Sequence, residues 1–201
     1  MAKLSARERR QARTRDEILD AALAIINEKG PEQLTLRALA RRVDYSPAGL
    51  YEYFESKDDI IYAVCAEGDR RLLAEMRSVS LDLPADEYLV ELGLAYVRFA
   101  RQNRDHFLLM FSHVPEGPKI PYEQLAFSET YRILLDAVQA AIQTGMFPAQ
   151  TGFDQAEVAY SLWALVHGLA TLQITSLHSV DYDFAAADRA ALEHFVRGLQ
   201  T

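Results

Sequence analysis

The 201-residue sequence predicts an all-α fold of about nine helices, a small three-helix head followed by a larger helical body. Apolar residues recur at spacings of three and four along most of the chain, and no stretch alternates with the period of a strand. Cap residues and Gly or Pro stops bound the apolar runs, and no internal repeat is present.

Thr14 and Glu17 form a capping box ahead of Ile18, Ala21, Ala22, Ile25 and Ile26, and Gly30 with Pro31 stops this first helix. Thr35 caps a short second helix that sets Leu36, Leu39, Ala40 and Val43 on one side. After a break at Asp44 and Tyr45, Ser46 caps a third, with Pro47 where a missing N–H costs nothing. Its Leu50 and Phe54 point one way, and Ala48, Gly49 and Glu52 another. Ser56 and Asp59 open a fourth helix that runs to about Ser78. Beyond Pro84 come helices over Ala85 to Gln102 and Asp105 to Ser112, then the loop VPEGPKIP. A helix from Tyr122 to Thr144 ends at Gly145. Asp154 to Ser176 carries two apolar stripes, one through Val158, Leu162 and Leu169, the other through Ala159, Val166 and Ala170. Such a helix must be covered on both sides. The last helix covers Phe184 to Leu199.

Composition narrows the classes. With half its residues apolar the chain can bury one large core or two small ones. The lone Cys65 excludes an internal disulfide framework and a Cys-rich zinc site, which suits a reducing cytoplasm. No apolar run follows the basic segment Ala2 to Arg15, so no signal peptide is expected. Val158 to Val180 lacks Asp, Glu, Lys and Arg, yet its Ser161, His167, Thr171 and Gln173 argue against a membrane span. The net charge of −8 hides an asymmetry: residues 1–49 carry ten Lys or Arg against seven acids, whereas residues 61–201 carry ten against eighteen. Residues 1–13 form a basic N-terminal arm, which reads equally well as a solvated tail or as a nucleic-acid contact.

Catalysis has no visible seat. The glycines are isolated, there is no GxSxG or HExxH, and the five histidines never pair at i, i+4. No metal or cofactor is expected, and His106, His113 and His167 read more readily as hydrogen-bonded side chains than as ligands.

What remains is a short helix, a tight turn and a second short helix in the region that is not acidic. A recognition helix needs small residues near base edges and donors on its flanks. Ser46, Pro47, Ala48 and Gly49 are compact, Tyr51 and Tyr53 carry flanking hydroxyls, and Thr35 heads the preceding helix. Lys57 opposes a helix dipole unless a phosphate lies near. Glu52 is suited to a cytosine amino group or to a neighbouring arginine.

The stretch ILDAALAIINEKGPEQLTLRALARRVDYSPAGLYEYFESKDDII resembles the DNA-binding domain of the tetracycline-repressor (TetR) family of transcriptional regulators. The likeness lies in the order of its parts: a first helix ending in Gly, Thr before the second, Ser opening the third, then LYxYF and SK. LWALVHGL, with Trp163, His167 and Gly168, resembles the Trp/His-Gly signature of one group of TetR-like C-terminal domains. The resemblance implies a helix-turn-helix head over residues 14–60, with Thr35, Ser46, Ala48, Gly49, Tyr51, Tyr53 and Lys57 facing double-stranded operator DNA; Arg37, Pro47 and Glu52 join this candidate set from their own places on the two helices. It implies a ligand-binding and dimerisation domain over residues 61–201, and a homodimer formed through the last two helices. Asp44 stands where the family often has glycine, Tyr45 where a smaller apolar residue is usual, and Pro47 where lysine is common. In such a layout a small, mostly apolar effector lies among the middle helices, near Phe99, Met110, Phe111, Tyr131 and Trp163, with His113 and His167 as polar handles. The expected function is a cytoplasmic, ligand-responsive repressor released from a palindromic operator. The rival reading is a helical ligand-binding or interaction module without DNA affinity, which would lack the steep salt dependence of phosphate contacts.

Overall fold

A computed structural model describes residues 5–112, 128–147 and 154–200. Its regular structure is nine α-helices and one 3₁₀ turn, Pro31–Gln33, with no strand among the described residues. The head holds α1 (Ala6–Lys29), α2 (Leu36–Arg42), α3 (Pro47–Leu50) and the first turns of α4 (Lys57–Arg77). The body holds the rest of α4 and α5 (Ala85–Gln102), α6 (Arg104–Ser112), α7 (Glu129–Gln143), α8 (Gln155–Ile174) and α9 (Phe184–Gly198). The expected loop VPEGPKIP and the start of the helix placed at Tyr122 lie outside the described residues.

One boundary differs from the sequence reading. The first helix begins at Ala6 and not at Thr14, because Ser5 and Glu8 form a reciprocal capping box of their own. Ser5 Oγ accepts from the Glu8 N–H at 3.2 Å, and the Ser5 N–H donates to Glu8 Oε2 at 2.7 Å. The Ala, Arg, Glu and Gln residues that follow are strong helix formers. Glu17, the other half of the expected box, instead pairs with Arg13 at 3.0 Å inside the helix. The basic segment is therefore helical from Ala6, and it is exposed from Ser5 to Arg13.

The head core is built by the stripes the sequence shows. Ile18, Ala22, Leu34, Leu39, Leu50 and Ile60 are fully enclosed, and Phe54 nearly so. α3 has a single α-turn, so Leu50 and Phe54 anchor it; removing either side chain should cost about 2–5 kcal/mol. The α2–α3 turn is closed by the Tyr45 N–H donating to the Ala40 carbonyl at 2.9 Å, with Asp44 at φ 52° between them. This is the helix-ending arrangement in which glycine usually takes the left-handed position. Gly145 does so after α7, at φ 74°, where the Met146 N–H reaches the Ala141 carbonyl at 3.1 Å.

In the body, α5 is the central element, packed on α4, α6, α7, α8 and α9. Gly93 lets α5 approach closely, since an added Cβ would lie 2.9 Å from Leu192 and 3.0 Å from Val166. α8 buries Val158, Ala159, Leu162, Val166, Ala170 and Ile174. Its far side leaves Tyr160, Ala164 and Leu172 exposed, and a side chain at Gly168 would meet nothing within 4 Å. No described helix is long and apolar enough to cross a membrane.

α4 and α6 belong to both cores. α4 gives Ile60, Ile61, Ala63 and Val64 to the head and Leu72 and Met76 to the body. α6 gives Leu109 to the head core, while its neighbours Met110 and Phe111 pack on the body core. The two helices meet at Gly68, where a Cβ would collide with Met110 Sδ.

The strain at Asp44 gives the first testable consequence. Asp44→Gly should leave the protein at least as stable, whereas Asp44→Val should lose about 1–2 kcal/mol in urea denaturation. A Val variant as stable as the parent would show that the turn carries no conformational cost.

Candidate nucleic-acid interface and effector cavity

The DNA-facing set predicted from sequence is assembled by three caps. Thr35 heads α2, its Oγ1 accepting from the Ala38 N–H at 3.1 Å; Ser46 heads α3, its Oγ accepting from the Gly49 N–H at 3.0 Å. Ser56 heads α4 in the same way, through the Asp59 N–H at 3.0 Å. Each hydroxyl keeps its own proton for an outside acceptor. Ser46, Pro47, Ala48, Tyr51, Glu52, Thr35 and Arg37 are exposed, and Tyr53 and Lys57 are half-buried.

Two residues behave differently from their sequence reading. Gly49 is covered by Tyr45, for a Cβ there would lie 2.9 Å from the Tyr45 ring and 3.2 Å from Ser46 Oγ. Its small size thus seats the tyrosine that stands in the turn. Tyr45 also meets Tyr53 edge-on at 6.2 Å, which ties the turn to the end of α3. Arg42 forks onto Glu28 at 2.6 and 2.8 Å, bracing α2 against α1. Beside this surface the Arg15 guanidinium lies 5.0 Å over the Phe54 ring.

The second feature is a cavity of about 200 Å³ in the body. α4 supplies Asp69, Leu72 and Met76; α5 supplies Tyr96; α6 supplies Met110 and Phe111. Thr130, Tyr131 and Leu134 of α7, preceded by Ser128, and Trp163 of α8 complete the described wall. Tyr96 is the polar hinge of this wall. Its hydroxyl accepts from Trp163 Nε1 at 3.4 Å and shares a hydrogen bond with His167 Nδ1 at 2.9 Å. Burial holds the Tyr96 phenol well above its ordinary range and holds His167 below its own, so both stay neutral. At the opposite wall Thr130 Oγ1 donates to Asp69 Oδ1 at 3.2 Å, and Ser128 and Thr130 share a hydroxyl contact of 2.6 Å.

Of the residues expected to bind a ligand, Met110, Phe111, Tyr131 and Trp163 line this cavity. Phe99 does not; it is fully enclosed in the body core against Phe107. His167 stands behind the wall, reaching it through Tyr96, and His113 lies outside the described residues. Sequence reasoning missed Asp69 and Tyr96. The signal was there, since Asp69 breaks the stripe Cys65, Leu72, Met76, and Tyr96 sets a hydroxyl among Leu89, Leu92 and Phe99. Among the described residues no three His, Cys, Asp or Glu gather closely enough to hold a metal.

A capped helix-turn-helix carried on a helical body with an internal cavity defines a DNA-binding regulatory protein. The comparisons agree. Residues 18–64 match the model of bacterial regulatory proteins of the tetR family, and residues 89–198 match the tetracyclin repressor-like C-terminal domain. The chain belongs to the TetR family of helix-turn-helix transcriptional regulators. It is similar to the HTH-type transcriptional regulator UidR of Escherichia coli, 23% identical over 93% of this chain and 89% of that one. An uncharacterized HTH-type regulator of Mycobacterium tuberculosis is 43% identical over 29% of this chain and 27% of its own. The crystal structure of the TetR family regulator PfmR from Thermus thermophilus superposes with a TM-score of 0.68 at 22% identity, over 92% of this chain and 99% of that one.

Two outcomes follow. Gly49→Ala should cost about 1–3 kcal/mol by forcing the Tyr45 ring aside, but should gain about 0.5–1 kcal/mol of helix propensity in a Tyr45→Ala background. A double-mutant cycle in urea with no coupling would refute that packing. His167 and His106 titrate below the ordinary 6.5, both chiefly through burial, with Arg71 adding at His106 against the opposing Asp20 and Asp105. The unfolded chain therefore takes up protons first, so stability is whole above 6.5 and is lost as pH falls from there through the folded values. His167→Gln should flatten the fall in urea midpoint between about pH 7 and pH 5; an unchanged slope would remove His167 from the linkage.

Proposed function

We propose that the protein is a homodimeric, cytoplasmic repressor, held on a palindromic operator by two heads and released by a small, mostly apolar effector in the body cavity. The observation that carries this reading is the double membership of α4 and α6. Asp69, Leu72, Met76, Met110 and Phe111 wall the cavity, while Ile60, Ile61, Val64 and Leu109 of the same two helices sit in the head core. An occupant that displaces one wall must then tilt the head, because close-packed interiors shift as units. Two heads on successive major grooves need a spacing of about 34–36 Å, so a small tilt suffices to lose the site.

In this reading Thr35, Arg37, Tyr51 and Lys57 position the head on phosphates, and Ser46, Pro47, Ala48 and Glu52 approach the bases. The outward row Tyr160, Ala164, Gly168 and Leu172 on α8 supports dimerisation through the last two helices, small residues between large ones permitting close approach.

Genomic footprinting tests the class and the target together, with a palindromic site as the expected result and a log–log salt slope near −0.9 for each phosphate contacted. Gly168→Arg should abolish the dimer and operator retention while circular dichroism stays that of the parent, since that position is open in the single chain. An effector that binds equally well with and without operator would sink the switch, for coupling must be reciprocal. Recovery of no site at all would favour a binding module without DNA affinity.

A further inference from the structure

The cavity's chemistry narrows the effector, and the narrowing rests on the reading of that cavity as the effector site. Asp69 is the one charged side chain among the described residues that line it. Among the described residues its polar partner is the Thr130 hydroxyl, which satisfies one of the roughly four acceptor positions a carboxylate offers. The arginines nearest in sequence are committed elsewhere: Arg70 and Arg71 to Glu67, and Arg77 to Glu129. No ion pair among the described residues reaches Asp69. Among the described residues this half-buried carboxylate thus has no cation beside it, and it faces a space walled mainly by aromatic rings, thioethers and leucines, with the hydroxyls of Ser128 and Thr130 on its own side. Tyr96, Phe111, Tyr131 and Trp163 line the same space, and an aromatic ring attracts a cation placed over its face and disfavours an anion there. His167, kept neutral by burial, supplies no competing cation.

We infer that the effector is a lipophilic amine: its ammonium pairs with Asp69 while the rings enclose its apolar body. A cavity of roughly 150 Å³ holds a benzene molecule. About 200 Å³ therefore takes one ring with a short chain.

The single tryptophan, Trp163, stands in the wall, so its fluorescence reports occupancy of the full-length protein directly and without DNA. Three probes of one shape separate charge from size: phenylbutylamine, phenylbutanol and phenylbutyrate. The amine should bind about tenfold or more tightly than the alcohol, and the acid more weakly than both. Asp69→Asn should bring the amine to the level of the alcohol while the alcohol's own affinity stays within about threefold, which also shows the cavity intact. Three results would each overturn the inference: no binding of the amine, binding of phenylbutyrate as tight as that of the amine, or an amine preference that survives in Asp69→Asn. Operator release is read separately. Binding of the amine that depends on Asp69 but releases no DNA would leave the ligand class standing and remove the switch.

Discussion

The contact on which the rest of this structure depends is the crossing of α4 and α6 at Gly68. A Cβ there would collide with Met110 Sδ and lie 3.2 Å from the Cβ of His106, so a larger residue at position 68 would have to turn the Met110 side chain out of its place between the helices. On α6, three successive residues then divide between three neighbourhoods: Leu109 enters the head core, while Met110 and Phe111 face the cavity and pack on the body core. Nothing flexible separates these roles. The rise of an α-helix is about 1.5 Å per residue, so a shift at Phe111 is felt at Leu109 with little loss. In the proposed switch, coupling between the two ends would rest on this absence of slack.

The fold was legible in the sequence wherever a local signal decided it. The caps Thr35, Ser46 and Ser56, the stops Gly30 and Gly145, and the span Ala85–Gln102 stand as the spacing predicts, because each rests on interactions within a few residues. The start of α1 was misread for an instructive reason. Thr14 and Glu17 have the spacing of a box, but Ser5 and Glu8 have it too, and a helix nucleated earlier runs through the later signal since nothing between them breaks it. An apolar stripe marks where a helix is buried; it says little about where an exposed helix begins.

The site was legible in kind and only partly in detail. Met110, Phe111, Tyr131 and Trp163 could be gathered because aromatic and sulfur-bearing side chains on neighbouring helices must lie near a common interior. Which of them face space and which face one another depends on helix rotation. Periodicity does not fix that rotation, and Phe99 falls in the core for this reason. Gly49 shows the same limit in the head. A small residue on a recognition helix suggests open access, yet the Tyr45 ring fills the space, and a tertiary contact between a turn and the helix it precedes leaves no periodic trace. The informative signals were the exceptions within stripes, an acid at position 69 and a hydroxyl at position 96.

The distribution of charge bears on how such a head can hold DNA at all. Ten Lys or Arg stand against eighteen acids in residues 61–201, so the body repels a phosphate backbone and the burden falls on the head. There, Arg42 is committed to Glu28 and Arg15 lies on Phe54, while Arg37, Arg41 and Lys57 stand with the hydroxyls and helix ends around Ser46 and Thr35, and the exposed first turns of α1 add the arginines of the basic segment. The seven acids of residues 1–49 offset much of that charge, which limits what a single head gains from counterion release. In the proposed dimer two heads share one frame, and the second contact becomes intramolecular at an effective concentration far above that of free protein. The modest net charge of one head and the outward row of Tyr160, Ala164, Gly168 and Leu172 on α8 therefore bear on the proposed dimer together: in that reading affinity is assembled from two copies, and a change in their spacing would remove more binding than either head possesses alone.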